Sequence, residues 1–219
     1  MTSILWDMGG TLFDTYPYVD SAFQRVTADG GHEVAADEIG KLTRVSRTHA
    51  IDELSRRTGI PVAAFEDSYE LVKKGWVSDP APLMDGAEEL VQACRHGRGK
   101  NIIVTHRDRD SAEQLVASAN VTFDDIISTS DGYPRKPDPA MIIAALERNS
   151  LLPEDCIAIG DREIDCEAAL AAGVTPVLLV SDAVTGTESE YRTVKRLVEL
   201  LPLFSLDVQT PANPWSERG

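Results

Sequence analysis

Short apolar runs recur along the chain, each bounded by polar or turn-forming residues. The clearest are Ser3–Trp6, Asn101–Val104, residues 156–159 and residues 176–180, and a weaker run covers residues 125–128. They are compact, nearly free of polar residues and rich in β-branched or aromatic side chains. Strands buried on both faces of a parallel sheet have this pattern, because helices cover both faces. The pattern therefore predicts a buried parallel sheet.

Helical patterns lie between these runs. Apolar residues recur at helical spacing in residues 86–95, 109–119, 138–148, 163–172 and 192–201. Gly173 directly follows one of these segments, where a glycine often ends a helix. Alternation of strand and helix predicts right-handed βαβ units and an α/β fold, with a doubly wound parallel sheet covered on both sides.

Residues 16–79 break this alternation. The segment looks helical, contains no convincing strand and ends on the proline-rich stretch at residues 79–82, which suggests a hinge. We predict a helical insertion between the first and second strands. The predicted organisation is a core of residues 1–15 and 80–208, an insertion of residues 16–79, and a loose tail of residues 209–219 that is rich in proline and polar residues.

Charge limits the possible partners. The chain has 36 acidic and 21 basic residues, a formal net charge of −15. Such a surface repels nucleic acid and anionic membranes, so we expect neither as a partner. A site for a phosphorylated substrate must then reverse the field locally. We hypothesise that some of the cationic or titratable residues near the polar motifs do so: His106, Arg107, Arg109, Arg135 and Arg162.

The cysteines and the N-terminal residues predict a cytoplasmic location. Cys94, Cys156 and Cys166 are odd in number and far apart, which favours neither a disulfide framework nor a structural zinc site. No apolar run is long enough to span a bilayer. The N-terminal residues reach Asp7 before any signal-like apolar stretch could form. Oligomeric state cannot be inferred from these features.

Polar residues follow three of the predicted strands. Asp7-Met-Gly-Gly-Thr-Leu follows the first, Thr105-His-Arg follows the second, and Gly160-Asp-Arg-Glu-Ile-Asp follows the run at residues 156–159. Lys136-Pro137 lies between the last two motifs. Because ligands bind at the carboxyl ends of strands in open parallel sheets, we expect these motifs to form one site.

This set of residues suits phosphoryl transfer. A carboxylate such as Asp7 can attack phosphorus and form an aspartyl-phosphate, and transfer then depends on positioning and charge neutralisation. Asp7 and Asp161 could supply the carboxylates that Mg²⁺ prefers. Lys136 could balance negative charge, and the Thr105 hydroxyl could hold the phosphate. The residues predict a magnesium-dependent enzyme that handles phosphoryl groups.

These four motifs resemble those of the haloacid dehalogenase superfamily. The resemblance covers residues 3–180, and the layout is similar to the phosphatases of the superfamily that carry a helical cap after the first strand. It implies a Rossmann-like core with a small helical cap domain. It also implies a Mg²⁺-dependent phosphatase that hydrolyses a small phosphorylated metabolite through an aspartyl-phosphate.

The resemblance also implies roles for individual residues. Asp7 would be the nucleophile, and Asp7, Asp161 and the backbone carbonyl of Gly9 would hold Mg²⁺. Asp165 would lie behind these ligands and orient water or the catalytic lysine. The phosphate-binding residues would be Thr105, His106 and Lys136.

Gly9 departs from the pattern of these phosphatases. They typically carry a second aspartate at this position, which protonates the leaving oxygen and then activates water. Such acid–base help contributes about a hundred- to ten-thousandfold in rate. Its loss should matter most for alkoxide leaving groups and least for acyl or aryl phosphates.

Other functions stay open. A phosphonatase-like enzyme would need a cap lysine, and the available ones are Lys41, Lys73 and Lys74. A protein that binds phosphate or a partner with little turnover is a further alternative. A dehalogenase is disfavoured, because those relatives use no metal and lack the Gly-Asp pair seen here at residues 160–161. Candidates for substrate selection in the insertion are Tyr16, Tyr18, Arg44, Arg47 and His49, and no spacing singles one out.

Overall fold

The computed structural model describes residues 1–119, 121–180 and 191–204. Within them, parallel strands form one sheet of order β3-β2-β1-β4-β5-β6. The strands are β1 Ser3–Trp6, β2 Asn101–Val104, β3 Asp125–Ile127, β4 Cys156–Gly160, β5 Thr175–Leu179 and β6 Arg192–Val194. The predicted doubly wound α/β fold is confirmed.

Helices separate most of the strands along the chain. They are α1 Tyr16–Asp29, α2 Ala36–Val45, α3 Arg47–Thr58, α4 Val62–Gly75, α5 Ala87–His96, α6 Arg109–Ser118, α7 Ala140–Asn149 and α8 Glu163–Ala171. In the part of the chain that is described, no helix has the length and apolar character needed to cross a membrane. Gly173 has a φ of 76°, in the left-handed region that glycine tolerates, and its position after α8 agrees with the predicted helix end.

Residues of β1 show how the sheet is buried on both faces. Ile4 and Trp6 belong to the core on one face, where Leu90 of α5 packs. Leu5 points the other way and joins a second core with Met141 of α7. Because successive side chains alternate across a strand, an uninterrupted apolar run such as Ser3–Trp6 is what a sheet between two helical layers requires.

Helices α1 to α4 form a separate helical segment with a small core of its own. Phe23 of α1 packs edge-on against Phe65 of α4, and Leu54 of α3 is buried in the same cluster. The two ends of the segment lie side by side. The Asp14 N–H donates a 2.9 Å hydrogen bond to the carbonyl of Pro82. The segment therefore leaves the sheet and returns to it at adjacent points.

The predicted helix over residues 192–201 is wrong. Arg192–Val194 is strand β6, which pairs with β5, and Leu197–Phe204 is a 3-10 helix. Its leucines at residues 197 and 200 are buried, which accounts for the helix-like spacing of apolar residues. Pro202 lies inside the turn and cannot donate a backbone hydrogen bond, so a regular α-helix is disfavoured there. The predicted tail of residues 209–219 lies outside the described residues.

Candidate active site

Three of the polar motifs meet at one edge of the sheet. Strand β1 lies between β2 and β4, and the chain passes from β1 to β2 on one side and later to β4 on the other. Asp7 follows β1, Thr105 follows β2 and Asp161 follows β4. The carboxyl ends of strands at such a switch point form the ligand-binding crevice of open α/β sheets.

Lys136 lies at the centre of this edge. Its Nζ atom donates hydrogen bonds to Asp7 Oδ1 at 2.7 Å, to Asp165 Oδ1 at 2.5 Å and to the carbonyl of Val104 at 3.0 Å. The lysine and both aspartates are buried. A single ammonium therefore holds two carboxylates in fixed orientations.

Electrostatics keep both partners of the central pair charged. Burial raises the pKa of Asp7, but the nearby charges of Lys136 and Arg162 outweigh it, so the pKa lies below the ordinary value of 3.8. Burial lowers the pKa of Lys136, yet the carboxylates of Asp165 and Asp7 hold it above 10.5. Asp7 is thus an ionised carboxylate at neutral pH, the state that a nucleophile needs.

The carboxylates of Asp7, Asp161 and Asp165 crowd together. One oxygen from each lies within 4.8 Å of the others. Burial raises the pKa of Asp161 to about 7, and the negative charges of Asp7 and Asp165 add to the effect. Among the described residues, two cations pair with this group: the Lys136 ammonium and the Arg162 guanidinium, whose Nε lies 4.0 Å from Asp165 Oδ2. A hard divalent cation would neutralise the excess charge, so the donor set fits Mg²⁺.

Tyr16 and Thr11 hold Asp161 in place. The Tyr16 hydroxyl donates a 2.6 Å hydrogen bond to Asp161 Oδ2, and the Thr11 hydroxyl donates one of 3.3 Å to Oδ1. Sequence reasoning missed both contacts. Thr11 belongs to the first motif, which could have suggested a role. Tyr16 lies 145 residues from its partner, and no sequence spacing indicates that contact.

Two glycines at this edge of the sheet, Gly10 and Gly160, have no room for a side chain. A Cβ on Gly10, whose φ is 83°, would lie 2.2 Å from a ring carbon of Tyr16. A Cβ on Gly160 would lie 2.2 Å from the Cβ of Asp165. Gly9 differs, because its Cβ would meet only Thr15 Oγ1, at 3.0 Å. Gly9 lines the same cavity as Asp7, and the role of its carbonyl as a metal ligand stays a prediction.

Thr105 and His106 lie beside Asp7. The Thr105 hydroxyl oxygen accepts a 3.1 Å hydrogen bond from the Arg107 N–H. His106 Nε2 accepts a 2.8 Å bond from the Lys136 N–H, so the imidazole is neutral and carries its hydrogen on Nδ1. Burial and the charges of Lys136 and Arg135 lower the His106 pKa to about 3. His106 therefore adds no positive charge at neutral pH.

A cavity of about 790 Å³ connects this edge with the helical segment. Asp7, Gly9 and Thr105 line it from the sheet. Three of the residues named for a local positive potential, Arg107, Arg135 and Arg162, line the cavity, and the potential itself stays a hypothesis. It is wrong for Arg109, whose guanidinium pairs with Asp131 at 2.8 Å and donates to the carbonyl of Ile126.

A doubly wound sheet with an aspartate after β1 and two more after β4 defines a recognisable class of α/β hydrolase. Residues 1–173 match the family model described as haloacid dehalogenase-like hydrolase. The chain belongs to this family. A phosphoglycolate phosphatase from Nitrosospira multiformis is 30% identical over 187 residues, covering 78% of this chain and 79% of that protein. The chain is accordingly a hydrolase of the phosphoric monoester type.

Other relatives agree with this family. A fructose-1-phosphate phosphatase from Escherichia coli is 26% identical over 183 residues, covering 80% of this chain and 94% of that protein. The crystal structure of a putative β-phosphoglucomutase from Thermotoga maritima superimposes with a TM-score of 0.76 at 23% identity. That superposition covers 93% of this chain and 98% of the other. At this identity it supports the fold alone.

Proposed function

We propose that this chain is a cytoplasmic, Mg²⁺-dependent phosphatase that hydrolyses a small phosphorylated metabolite through an aspartyl-phosphate on Asp7. One observation carries the proposal: Asp7 is ionised, is held by Lys136 and lines a cavity together with Thr105. The relatives named as phosphatases of phosphoglycolate and fructose 1-phosphate support it. We take residues 16–79 as the cap and residues 1–15 and 80–208 as the core.

The orientation of Asp7 suggests which oxygen attacks. Oδ1 accepts the hydrogen bond from Lys136, which leaves Oδ2 as the nucleophile toward phosphorus. Its attack forms the Asp7–phosphate bond while the bond from phosphorus to the leaving oxygen breaks, and solvent protonates that oxygen. Water then attacks the phosphorus of this intermediate and releases a proton to solvent, and inorganic phosphate leaves as the Asp7 carboxylate is regenerated.

Residues around Asp7 would stabilise the charge on the transferred group. The Thr105 hydroxyl oxygen already accepts a bond from the Arg107 N–H, so its own hydrogen can be donated to a phosphate oxygen. The neutral imidazole of His106 can donate its Nδ1 hydrogen in the same way. Lys136 keeps its charge beside the reacting carboxylate. Donors that are already oriented in this way stabilise transition-state charge at little reorganisation cost.

Mg²⁺ would be held by Asp7 and Asp161, with the Gly9 carbonyl as a further ligand. Asp165 is already engaged by the Lys136 ammonium and the Arg162 N–H, so we assign it to orienting Lys136. When bound, the ion would neutralise negative charge on the phosphate oxygens.

Gly9 restricts the proposed reaction. It has no group that can protonate a leaving oxygen or activate water. We therefore expect aryl and acyl phosphates, which have stable leaving groups, to turn over faster than alkyl phosphates.

The test is turnover of phenyl phosphate and acetyl phosphate with Mg²⁺. We expect Asp7→Asn to lose at least about a thousandfold in kcat/KM, and EDTA to abolish activity. Asp110→Asn, an exposed aspartate of α6, is the matched control and should keep wild-type activity. No turnover by the wild type across aryl, acyl and alkyl phosphates would contradict the proposal and favour a phosphate-binding protein.

The geometry does not support the phosphonatase alternative. Lys73 lines the cavity, but its ammonium is engaged by Glu70 at 2.7 Å and Asp108 at 3.6 Å. Lys41 lines a neighbouring cavity that also contains Asp161, but its ammonium pairs with Asp37 at 3.5 Å, and neither Lys41 nor Lys74 lines the cavity that contains Asp7. If phosphatase activity persists after all three lysines are replaced by methionine, imine chemistry is not involved.

A further inference from the structure

Tyr16 connects the helical segment to the candidate metal site. It is the first residue of α1, and it lines the cavity that contains Asp7. Its hydroxyl donates a 2.6 Å hydrogen bond to Asp161 Oδ2 in the core. A bond of this length is typical of a hydroxyl that donates to a carboxylate, and such bonds are among the stronger hydrogen bonds in proteins. A residue of the inserted segment therefore holds a carboxylate at the edge of the sheet.

Contacts on the Tyr16 ring restrain the side chain. Gly10 lies so close that a Cβ there would be 2.2 Å from a ring carbon, so the ring packs directly against the backbone of the first motif. The guanidinium of Arg44 in α2 lies 4.5 Å from the ring centroid, and Asp20 holds that guanidinium at 3.0 Å. A side chain that is packed from both the core and the helical segment keeps its hydroxyl in a fixed position.

The two carboxylate oxygens of Asp161 are engaged unequally. Oδ2 accepts the 2.6 Å bond from Tyr16, whereas the bond that Oδ1 accepts from the Thr11 hydroxyl is 3.3 Å long. An O–H···O contact of that length is longer than usual and correspondingly weak. Oδ1 is therefore the oxygen that is more available to a cation, and the bond to Oδ2 fixes the orientation of the carboxylate that carries it.

We propose that Tyr16 is a positioning residue for the metal site, because its hydroxyl orients Asp161 and leaves Oδ1 available to Mg²⁺. This inference rests on the proposed function, which takes Asp161 as a ligand of the ion. A partner that fixes the orientation of a metal ligand typically contributes about ten- to a hundredfold to metal affinity. The helical segment thus completes the metal site through Tyr16, in addition to lining the cavity.

Metal affinity tests this role without any turnover. Mn²⁺ takes the same kinds of oxygen ligand as Mg²⁺, and the electron paramagnetic resonance signal of the free ion gives its Kd for the full chain. We expect Tyr16→Phe to bind Mn²⁺ about tenfold more weakly than the wild type. The substitution removes only the hydroxyl and keeps the ring that packs on Gly10 and Arg44. Circular dichroism in EDTA checks that the variant is folded.

Tyr18→Phe is the matched control, because it removes a hydroxyl from the same helix at a residue that does not line the cavity with Asp7. Its Kd should stay within about twofold of wild type. Asp161→Asn identifies the binding that depends on this site, and it should bind Mn²⁺ at least as weakly as Tyr16→Phe. Equal or tighter binding by Tyr16→Phe would overturn the inference, since the hydroxyl would then contribute nothing or compete with the ion.

The two proposals can fail separately. Turnover of phenyl phosphate together with equal Mn²⁺ affinities of the wild type and Tyr16→Phe would overturn the positioning role and leave the phosphatase proposal standing. Weaker Mn²⁺ binding by Tyr16→Phe without turnover of any phosphate ester by the wild type would have the opposite meaning. Equal affinities of the wild type and Asp161→Asn would overturn both the positioning role of Tyr16 and the assignment of Asp161 as a metal ligand.

Discussion

The ammonium of Lys136 lies 2.7 Å from Asp7 Oδ1, although 129 residues separate the two along the chain. The contact keeps the candidate nucleophile ionised, and it leaves the other carboxylate oxygen, Oδ2, without a bond to this lysine. Asp165 holds the same ammonium from a different direction at 2.5 Å. Charge balance and orientation at the site therefore depend on one lysine, so its removal should affect both stability and activity.

Lys136→Met should lower the free energy of unfolding by about 3–5 kcal/mol at pH 7 in EDTA. The substitution leaves the buried carboxylates of Asp7 and Asp165 without their shared counter-charge. Urea unfolding followed by circular dichroism measures the effect. Lys74→Met, which changes an exposed lysine, should stay within about 0.5 kcal/mol of wild type. Equal stability of the two variants would show that the buried ion pairs of Lys136 with Asp7 and Asp165 are not required for folding stability.

His106 should make folding sensitive to acid. Its folded pKa of about 3 lies below the ordinary value of 6.5, so between these values the unfolded chain binds a proton that the folded chain does not. The contribution of His106 to the free energy of unfolding is therefore fully present above pH 6.5 and is lost as pH falls toward 3. After allowance for solvent screening of a partly exposed ring, the loss between pH 7 and pH 5 is about 1 kcal/mol.

The variant His106→Asn cannot titrate in this range. Its free energy of unfolding should therefore fall less between pH 7 and pH 5 than that of the wild type, as measured by urea unfolding at both values. His32→Asn, which changes a histidine of the helical segment outside the cavity, serves as the control and should follow the wild type. Identical pH dependence in the His106 variant and the wild type would mean that the ring is not held neutral.

Gly160→Ala should destabilise the protein by about 1–3 kcal/mol and lower activity. The new Cβ would lie 2.2 Å from the Cβ of Asp165, so Asp165 must move and its hold on Lys136 weakens. Gly75→Ala is the control, because a Cβ there has no neighbour within 4 Å. Thermal unfolding and phenyl phosphate turnover would test both variants. A Gly160 variant as stable and active as the Gly75 variant would contradict the proposed packing requirement.

Much of the sheet edge could be predicted because strand ends are encoded locally. Asp7 and Thr105 each directly follow a buried apolar run, and Asp161 follows another after Gly160. A parallel sheet brings the carboxyl ends of its strands together whatever the intervening sequence. The glycine at residue 173 was likewise a local signal for the end of α8. Only the residues beside each strand were needed for these inferences.

Contacts between distant elements could not be predicted in this way. Arg109 and Arg135 look alike in sequence, since both are arginines beside a motif. Arg109, the first residue of α6, forms an ion pair with Asp131, whereas Arg135 lines the cavity. The helix prediction for residues 192–201 is wrong for a related reason. Val194, Leu197 and Leu200 are buried at intervals of three residues, a spacing that resembles a helix, whereas strand pairing with β5 depends on tertiary position.

Gly9→Asp should raise turnover of ethyl phosphate, because it supplies the carboxyl group that protonates the leaving oxygen and activates water. General acid–base catalysis makes a gain of about a hundredfold reasonable. A Cβ on Gly9 would lie 3.0 Å from Thr15 Oγ1, so Thr15 must shift by a few tenths of an ångström. Phenyl phosphate, which has a better leaving group, should gain much less.

Two further variants separate proton transfer from packing. Gly9→Asn has nearly the same size as Gly9→Asp but carries no acidic proton, so it should show no gain on ethyl phosphate. Gly9→Asp combined with Thr15→Ala removes the 3.0 Å contact and should turn over ethyl phosphate at least as fast as the single aspartate variant. If neither aspartate variant exceeds Gly9→Asn in kcat, proton transfer at this position does not limit the reaction. In that case the discrimination against alkyl phosphates must arise elsewhere in the cavity.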